Sequence, residues 1–227
     1  MPQWWRRAKV KPLSGAGERF TQIITNFVPD PLYNGFVQLD FEDWTPIWEE
    51  NVDPVLFHGR RYQEYSIQLV NRSHPHLHAS GVQALAKKQY ETAALAWFTG
   101  ILDHLHHLRP HTRFAWYGLP DTTSYWAKYD DPKQGPLLRA RNDRLIPLWA
   151  ASGWIAPCGY LSVGFSPTKQ WEHVHAGVQE AVRCARAGTK YNEARSGLGL
   201  ASGTPPPVLA VQWNFYHLSL SGKIGDG

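Results

Sequence analysis

The sequence has few cysteines and no long apolar run. Its two cysteines, Cys158 and Cys184, are too few for a disulfide framework, and we expect both to be buried, unpaired thiols. No apolar stretch approaches the roughly 20 residues of a membrane-spanning helix, so we predict no membrane span. Residues 1–7 are basic but lead into no apolar core, and we therefore predict no signal peptide in this chain.

Signatures of several enzyme classes are also missing. The sequence has no glycine-rich phosphate loop, no Cys-x-x-Cys pair and no Gly-x-Ser-x-Gly elbow. Aromatic side chains are abundant instead, with 11 Trp, 10 Tyr and 9 Phe among 227 residues. Hydrophobic residues make up 43% and charged residues 19%, which is an ordinary globular composition. The net charge of +4 suits an anionic ligand.

Strand and helix patterns alternate along the chain. The predicted helices are 18–27, one within 44–73, 80–108, 142–149 and 171–187, the last ended by Gly188. The predicted strands are 36–41, 114–117, 154–161 and 208–216, with a polar loop over 122–140 and a linker over 188–207. This alternation predicts an α/β fold with a parallel sheet. We expect one domain over 18–217, between a loose basic arm (1–17) and a flexible tail (218–227).

An acidic pair stands at the end of the first predicted strand. Asp40 and Glu42 are two residues apart, so on a strand they share one face, while Leu39 and Phe41 take the other face towards helices. We expect the pair to lie in a partly buried site, where two neighbouring carboxyl groups raise each other's proton affinity and one can stay protonated beside an ionised partner. Glycoside hydrolysis needs that division between an acid and a carboxylate. The alternative is a pair of solvated acids at an exposed strand end.

The surroundings of this pair resemble a known family. The order and spacing of several motifs are similar to those of the hyaluronidase family of glycoside hydrolases, over roughly residues 18–217. These motifs are Val28–Pro31, Gly35 with Leu39–Trp44, Trp116–Asp121, Asn142-Asp143 with Leu148-Trp149, and Pro157–Tyr160. The chain departs from the family pattern at Phe41 (usually Trp), Thr45 (usually Arg), Thr122 (usually Cys) and His217 (usually acidic). Family members are longer at both ends, so we expect a truncated chain with fewer than eight barrel strands.

The resemblance implies a fold and a reaction. The family fold is a TIM-like (β/α) barrel, here expected to be incomplete, with its groove at the carboxyl ends of the strands. The implied reaction is hydrolysis of β-1,4 bonds after N-acetylhexosamine in hyaluronan or chondroitin, with the substrate's own acetamido oxygen as the nucleophile. The partner is then an anionic glycosaminoglycan, with no cofactor, metal or nucleic acid, and the location is secreted or lysosomal.

The resemblance also implies roles for individual residues. Glu42 would protonate the leaving oxygen and then act as the base for water, and its pKa is expected to be raised. Asp40 would orient the acetamide and stabilise its positive charge. Tyr117 and Tyr160 would hold the acetamido group, and Asp121 would line the same pocket.

Other functions remain open. A chitinase-like hydrolase also uses Asp-x-Glu, although the longer acidic signature of that family is absent. A non-catalytic glycan-binding or inactive hyaluronidase-like chain would keep the groove without the reaction. These two alternatives differ from the first hypothesis in whether hyaluronan is cut.

Several further side chains have two interpretations each. Trp44 and Trp48 either stack on sugar faces or pack the fold. The arginines either meet uronate carboxylates or are solvated on the surface: Arg60, Arg61, Arg139, Arg141 and Arg144. The clustered histidines either bind zinc or lie on a polar loop and an exposed helix end: His74, His76, His78, His104 and His107. Asn71-Arg72-Ser73 is a glycosylation acceptor sequence if the chain enters a secretory route.

Overall fold

The computed structural model describes residues 15–51, 59–122, 126–161, 164–196 and 204–211. The chain divides into two compact units, Met1–Phe114 and Ala115–Gly227. Among the described residues, no helix combines the length and the apolar character needed to cross a bilayer. The predicted arm up to residue 14, the predicted tail and residues 212–216 of the last predicted strand lie outside the described residues.

Three helices form most of the first unit. They are α1 (Ala16–Phe27), α2 (Gly59–Ser73) and α3 (Ala79–Leu108), with the strand β1 (Phe36–Leu39) and a 3-10 turn (Trp48–Glu50) between α1 and α2. Just after α1 comes Pro29, whose ring cannot continue a helix. The predictions of helices over 18–27 and 80–108 are confirmed, with each helix starting slightly earlier than predicted.

The long helix α3 is the central element of the first unit's core. Both α1 and α2 pack against it. Its buried side chains recur three and four residues apart, as an amphipathic helix requires: Val82, Ala86, Tyr90, Ala94, Trp97, Phe98, Ile101, Leu102 and Leu105. Val70 of α2 joins Val82 and Ala86 in one apolar cluster. Burial of this stripe therefore decides both where α3 forms and which face it turns inward.

The second unit combines helices with short extended segments. The strand β2 (Arg113–Trp116) is hydrogen-bonded to β1 and leads into this unit. After it come a 3-10 turn (Trp126–Lys128) and the helices α4 (Gln134–Asp143), α5 (Ile146–Ala151) and α6 (Pro167–Ser196). The helix α6 packs against both α4 and α5.

The described extended segments of the second unit pair through parallel bridges and through one antiparallel bridge, between Leu119 and Ala156. The parallel bridges join Tyr117 to Ala156, Ile155 to Val208, and Cys158 to Val211. The middle segment is bonded on both sides, because the amide of Gly118 donates to Ala156 O at 2.9 Å and that of Leu209 donates to Ile155 O at 3.0 Å. Parallel pairing confirms the α/β expectation. A closed barrel is not seen in the described residues, whose only continuous strands are β1 and β2.

The predicted strand over 154–161 is wrong as a continuous strand. It is present as isolated bridges at Ile155, Ala156 and Cys158. Pro157 stands inside this run and has no amide hydrogen to give to a neighbouring strand. The segment keeps its place between two partners, but the ladder is interrupted at the proline.

The polar stretch 122–140, predicted as a loop, is partly helical in its described residues. It contains a 3-10 turn and most of α4. Leu138 of α4 packs with Tyr129 and with Ala176 of α6 in a buried cluster. One well-placed apolar side chain therefore fixes a helix whose remaining residues are mainly polar. The predicted helix over 142–149 is in fact the end of α4 and the start of α5. Pro147 has no amide hydrogen to donate to the carbonyl oxygen of Asp143, four residues earlier, so one continuous helix cannot form here.

Gly188 does not end a helix as predicted. The helix α6 runs through it to Ser196, so the first part of the predicted linker is helical. A Cβ atom at Gly188 would lie 2.6 Å from the carbonyl carbon of Trp149 and 2.7 Å from the nitrogen of Ala150. The glycine is required because the backbone of α5 touches α6 at this point.

Candidate active site

The predicted carboxylates follow directly after β1. The strand ends at Leu39, so Asp40 and Glu42 are not within it, contrary to the prediction of a strand over 36–41. The ladder is short because β1 and its partner β2 have four residues each. Alternation nevertheless continues beyond the strand: Leu39 is buried and Phe41 is half-buried, while Asp40 and Glu42 are exposed. Both carboxyl groups are therefore on the solvent side of the segment.

A cluster of aromatic rings holds the carboxylate segment in place. The Phe41 ring lies 5.0 Å from the Trp97 ring and 5.2 Å from the Trp44 ring, which confirms that Phe41 turns towards a helix. Trp44 is only 3% exposed and also contacts Phe98 at 5.4 Å and Tyr90 at 6.1 Å. We call Phe41, Trp44, Tyr90, Trp97 and Phe98 the aromatic cluster. Of the two interpretations of Trp44, packing of the fold is the one that the structure shows.

A buried turn follows the aromatic cluster. Asn51 is 2% exposed, and its amide donates to the carbonyl oxygens of Thr45 (3.0 Å) and Ile47 (2.8 Å). Its own oxygen accepts the amide hydrogen of Thr45 at 2.9 Å. The Tyr90 hydroxyl also donates to Thr45 O at 2.8 Å, and burial raises the pKa of Tyr90. Thr45, which stands where the family usually has Arg, is thus a hydrogen-bonded corner of the backbone.

Asp43, the acid next to Glu42, affects the pKa of a nearby tyrosine. Burial and the negative charge of Asp43 together raise the pKa of the Tyr62 phenol. The Tyr62 ring lies 5.9 Å from the Trp44 ring, at the edge of the aromatic cluster. Tyr62 is therefore a neutral hydroxyl at neutral pH.

Two predicted tyrosines come together in the second unit. The rings of Tyr117 and Tyr160 lie 5.7 Å apart and are tilted by 33°, and both residues are half-buried. The Tyr117 hydroxyl contacts the Cys158 sulfur at 3.5 Å. Burial, followed by the neighbouring Tyr160 and Cys158, raises the pKa of Tyr117. Its hydroxyl is therefore protonated and can donate a hydrogen bond at neutral pH.

The loop that carries Asp121 starts at a conformation that favours glycine. Gly118 has φ +71°, and its amide bonds to Ala156 as described above. Asp121 is half-buried, and the next residue, Thr122, is 3% exposed. Thr122 replaces the family's cysteine and packs beside Gly177 of α6. Both cysteines of the chain are free thiols, with Cys158 half-buried and Cys184 buried.

A buried carboxylate in the second unit was missed by the sequence analysis. Glu180 of α6 is fully buried, and its oxygens accept bonds from Tyr129 (3.0 Å), Asn142 (2.7 Å) and Arg183 (2.7 and 2.8 Å). Arg183 also pairs with Asp143, and these bonds raise the pKa of its guanidinium. The signal available in the sequence was the three-residue spacing of Glu180 and Arg183 on a helix. We call Tyr129, Asn142, Glu180 and Arg183 the Glu180 network.

Three of the clustered histidines have separate hydrogen-bond partners. His104 Nε2 is 2.8 Å from the Thr21 hydroxyl, His107 Nδ1 is 2.6 Å from Asp103 O, and His74 Nδ1 is 2.9 Å from the Ser73 hydroxyl. Within the described ranges, no three His, Cys, Asp or Glu side chains converge in a way that would hold a metal ion. A zinc centre at these histidines thus has no geometric support.

Comparisons with known proteins decide the family. The profile of a glycoside hydrolase family described as hyaluronidase matches residues 10–195. The chain belongs to the hyaluronidase family. Hyaluronidase-1 of Mus musculus is 34% identical over 167 residues, and Hyaluronidase-1 of Homo sapiens is 34% identical over 172 residues. These alignments cover 72% and 74% of this chain.

This hyaluronidase-family chain is much shorter than those relatives. It spans 35% of the mouse protein and 39% of the human one. Its fold is similar to that of bee venom hyaluronidase, with a TM-score of 0.74 at 22% identity over 92% of this chain and 62% of the bee protein. A second bee venom structure, in complex with a hyaluronic acid tetramer, gives a TM-score of 0.69.

Proposed function

We propose that the protein is an endoglycosidase that hydrolyses β-1,4 bonds after N-acetylhexosamine in hyaluronan or chondroitin, on a TIM-like barrel fold. The observation that carries the proposal is the exposed Asp40–Glu42 pair directly after β1. Its alternation with buried Leu39 and half-buried Phe41 puts both acidic residues on the exposed side of the segment. Membership of the hyaluronidase family supports the reaction class, and the bee venom relative was solved with a hyaluronic acid tetramer.

In the proposed first step, Glu42 gives its proton to the glycosidic oxygen as the bond to the anomeric carbon breaks. The acetamido carbonyl oxygen of the same sugar forms a bond to that carbon, so the intermediate is a cyclic, positively charged oxazolinium ion. Asp40 accepts the acetamide N–H and stabilises the positive charge that develops there. The enzyme itself forms no covalent bond to the sugar.

In the second step, water completes the reaction. Glu42, now a carboxylate, removes a proton from water while the water oxygen attacks the anomeric carbon and the oxazolinium ring opens. Each attack inverts the configuration of the anomeric carbon, so the two successive attacks restore the original configuration. The general acid is thereby reprotonated for the next cycle.

Tyr117 and Tyr160 are proposed to hold the acetamido group, and Asp121 to line the same pocket. The close tilted rings support a shared role for the two tyrosines. The Tyr117 hydroxyl, which its raised pKa keeps protonated, would turn from the Cys158 sulfur 3.5 Å away to donate to the acetamide oxygen. We further propose a secreted or lysosomal location, for which the exposed Asn71 of the acceptor sequence Asn71-Arg72-Ser73 provides a glycosylation site.

The decisive experiment replaces Glu42. In Glu42→Gln the amide keeps the shape of the side chain but has no acidic proton, so hyaluronan depolymerisation should fall by on the order of 10²–10⁴. Binding of a hyaluronan oligosaccharide should change little. Asp43→Asn makes the same change of charge one residue away and is the matched control, which should retain activity.

Three outcomes would contradict the proposal. Parental rates in Glu42→Gln would remove Glu42 from the mechanism. Binding of hyaluronan without any depolymerisation by the parent chain would favour a non-catalytic glycan-binding protein. Cleavage of chitin oligosaccharides but not of hyaluronan would favour a chitinase-like hydrolase.

A further inference from the structure

A wide groove lies along the helix α6 of the second unit. It has a volume of about 730 Å³ and is bounded by α6 on one side and by Arg139 of α4 and the Tyr129–Asp130 turn on the other. The lining residues of α6 run from Val178 to Lys190, at positions that share one helix face. At 1.5 Å per residue, this face is roughly 18 Å long. None of the predicted catalytic or acetamide-binding residues lines the groove.

The charged side chains that line this groove are mainly positive. They are Arg139, Arg183, Arg186 and Lys190, with Asp130 as the one acidic residue among the described lining residues. Arg183 is already engaged, because it pairs with Glu180 and Asp143. The guanidinium of Arg139 stacks over the Tyr129 ring at 5.2 Å and donates to Tyr129 O at 2.7 Å.

Arg186 and Lys190 are the cations left for a ligand. Both are exposed, and in the parts of the chain that the structure describes neither has an acidic partner. They are four residues apart on α6, so they lie next to each other and repel. Positive charges kept side by side are stabilised when an anion binds between them.

We propose that this groove is a second glycan-binding site, which takes the carboxylate or sulfate groups of a glycosaminoglycan chain. This inference relies on the proposed function for the class of ligand. Val178, Val182 and Ala187 alternate with the cations along the groove, so apolar contact is available for sugar ring faces between the charged contacts. Tyr129, whose ring is already covered by Arg139, offers no free surface on which nucleic acid bases would stack.

The test is calorimetric titration with a hyaluronan hexasaccharide, in the Glu42→Gln background so that the probe is not shortened. Arg186→Gln with Lys190→Gln is the groove variant, and both side chains are exposed, so the fold should be kept. Lys88→Gln with Lys169→Gln removes the same charge from exposed helical positions elsewhere and is the matched control. Circular dichroism of all three proteins checks that they are equally folded.

We expect two binding events in the unsubstituted background and in the control, with the groove event weakened by about three- to tenfold in the groove variant. The groove event should also weaken with added salt. Equal affinity of the groove variant and the control for the hexasaccharide would overturn the proposal. The proposal would also fail if the groove substitutions weakened the binding of single-stranded DNA of matched charge more than the binding of the hexasaccharide. If the parent chain cuts no hyaluronan but the groove-dependent event persists, the proposed function fails while the groove assignment stands.

Discussion

Two buried clusters, one in each unit, are held together by different kinds of contact. Around the carboxylate segment, the aromatic cluster of the first unit packs five rings with centroids 5.0–6.1 Å apart. In the second unit, the Glu180 network places a carboxylate that is 0% exposed among hydrogen-bond donors. Apolar packing depends on shape and volume, whereas a buried carboxylate depends on every donor being in place. The two units should therefore respond differently to substitution and to pH.

The largest expected effect is loss of a ring from the aromatic cluster. Trp44→Ala should lower the free energy of unfolding by about 3–5 kcal/mol, because the ring is buried and its neighbours cannot collapse into the space. Urea denaturation measures this change. Trp171, which is 63% exposed and stacked on His175, is the matched control, and Trp171→Ala should cost less than about 1 kcal/mol. Equal costs for the two substitutions would show that Trp44 is not a core residue.

A smaller effect is expected from the charge of the Glu180 network. Glu180→Gln keeps the volume but removes the negative charge that binds Arg183, so unfolding should become easier by about 1.5–3 kcal/mol. Glu172→Gln on the same helix changes an exposed carboxylate and should stay within about 0.5 kcal/mol of the parent protein. An unchanged midpoint of urea denaturation for Glu180→Gln would mean that the buried charge contributes no net stability.

The smallest effect is a dependence on pH. Burial lowers the pKa of His173 below the ordinary 6.5, and its ring contacts Trp126 and Phe165. The unfolded chain therefore binds the proton first as the pH falls, so stability is lost as the pH drops through and below 6.5. His173→Phe should make the fall in unfolding free energy between pH 7 and pH 5 smaller by up to about 1 kcal/mol.

The control for the pH experiment lies in the other unit. Burial also lowers the pKa of His106 there, so the parent protein should keep part of its pH dependence after His173 is replaced. His106→Phe combined with His173→Phe should flatten the curve further than either change alone. An identical pH dependence in the parent and in both variants would contradict the conclusion that buried His106 and His173 cause the loss of stability at low pH.

The sequence predicted elements whose stabilising contacts follow a regular spacing. The helix α3 was predicted almost to its ends because its buried side chains repeat every three or four residues. Simple alternation predicted that Asp40 and Glu42 lie on the opposite side of the segment from Leu39 and Phe41, but not that both are exposed. The tyrosine pair came from the family resemblance, since no local pattern brings Tyr117 next to Tyr160.

Features that depend on distant neighbours were not predicted. The helix α4 was missed because Leu138 is buried by Tyr129 and Ala176, and its own surroundings in the sequence are polar. The groove on α6 depends on the Tyr129–Asp130 turn and Arg139 lying across from Arg186 and Lys190. Contacts of this kind cannot be predicted from the sequence of one segment, because the contacting residue lies in another segment.

Gly188 has a consequence for how precisely α5 and α6 are positioned. Where two helices meet through side chains, their separation can change as rotamers change, because long side chains can be rearranged. Here the main chain of α6 at Gly188 faces the main chain of α5 at Trp149 and Ala150, and main-chain atoms have no rotamers to adjust. The distance between the two helices at this point is therefore set by contact between main-chain atoms. One turn further along α6, the Asn192 amide donates to Ala150 O at 3.0 Å and fixes the register of the two helices.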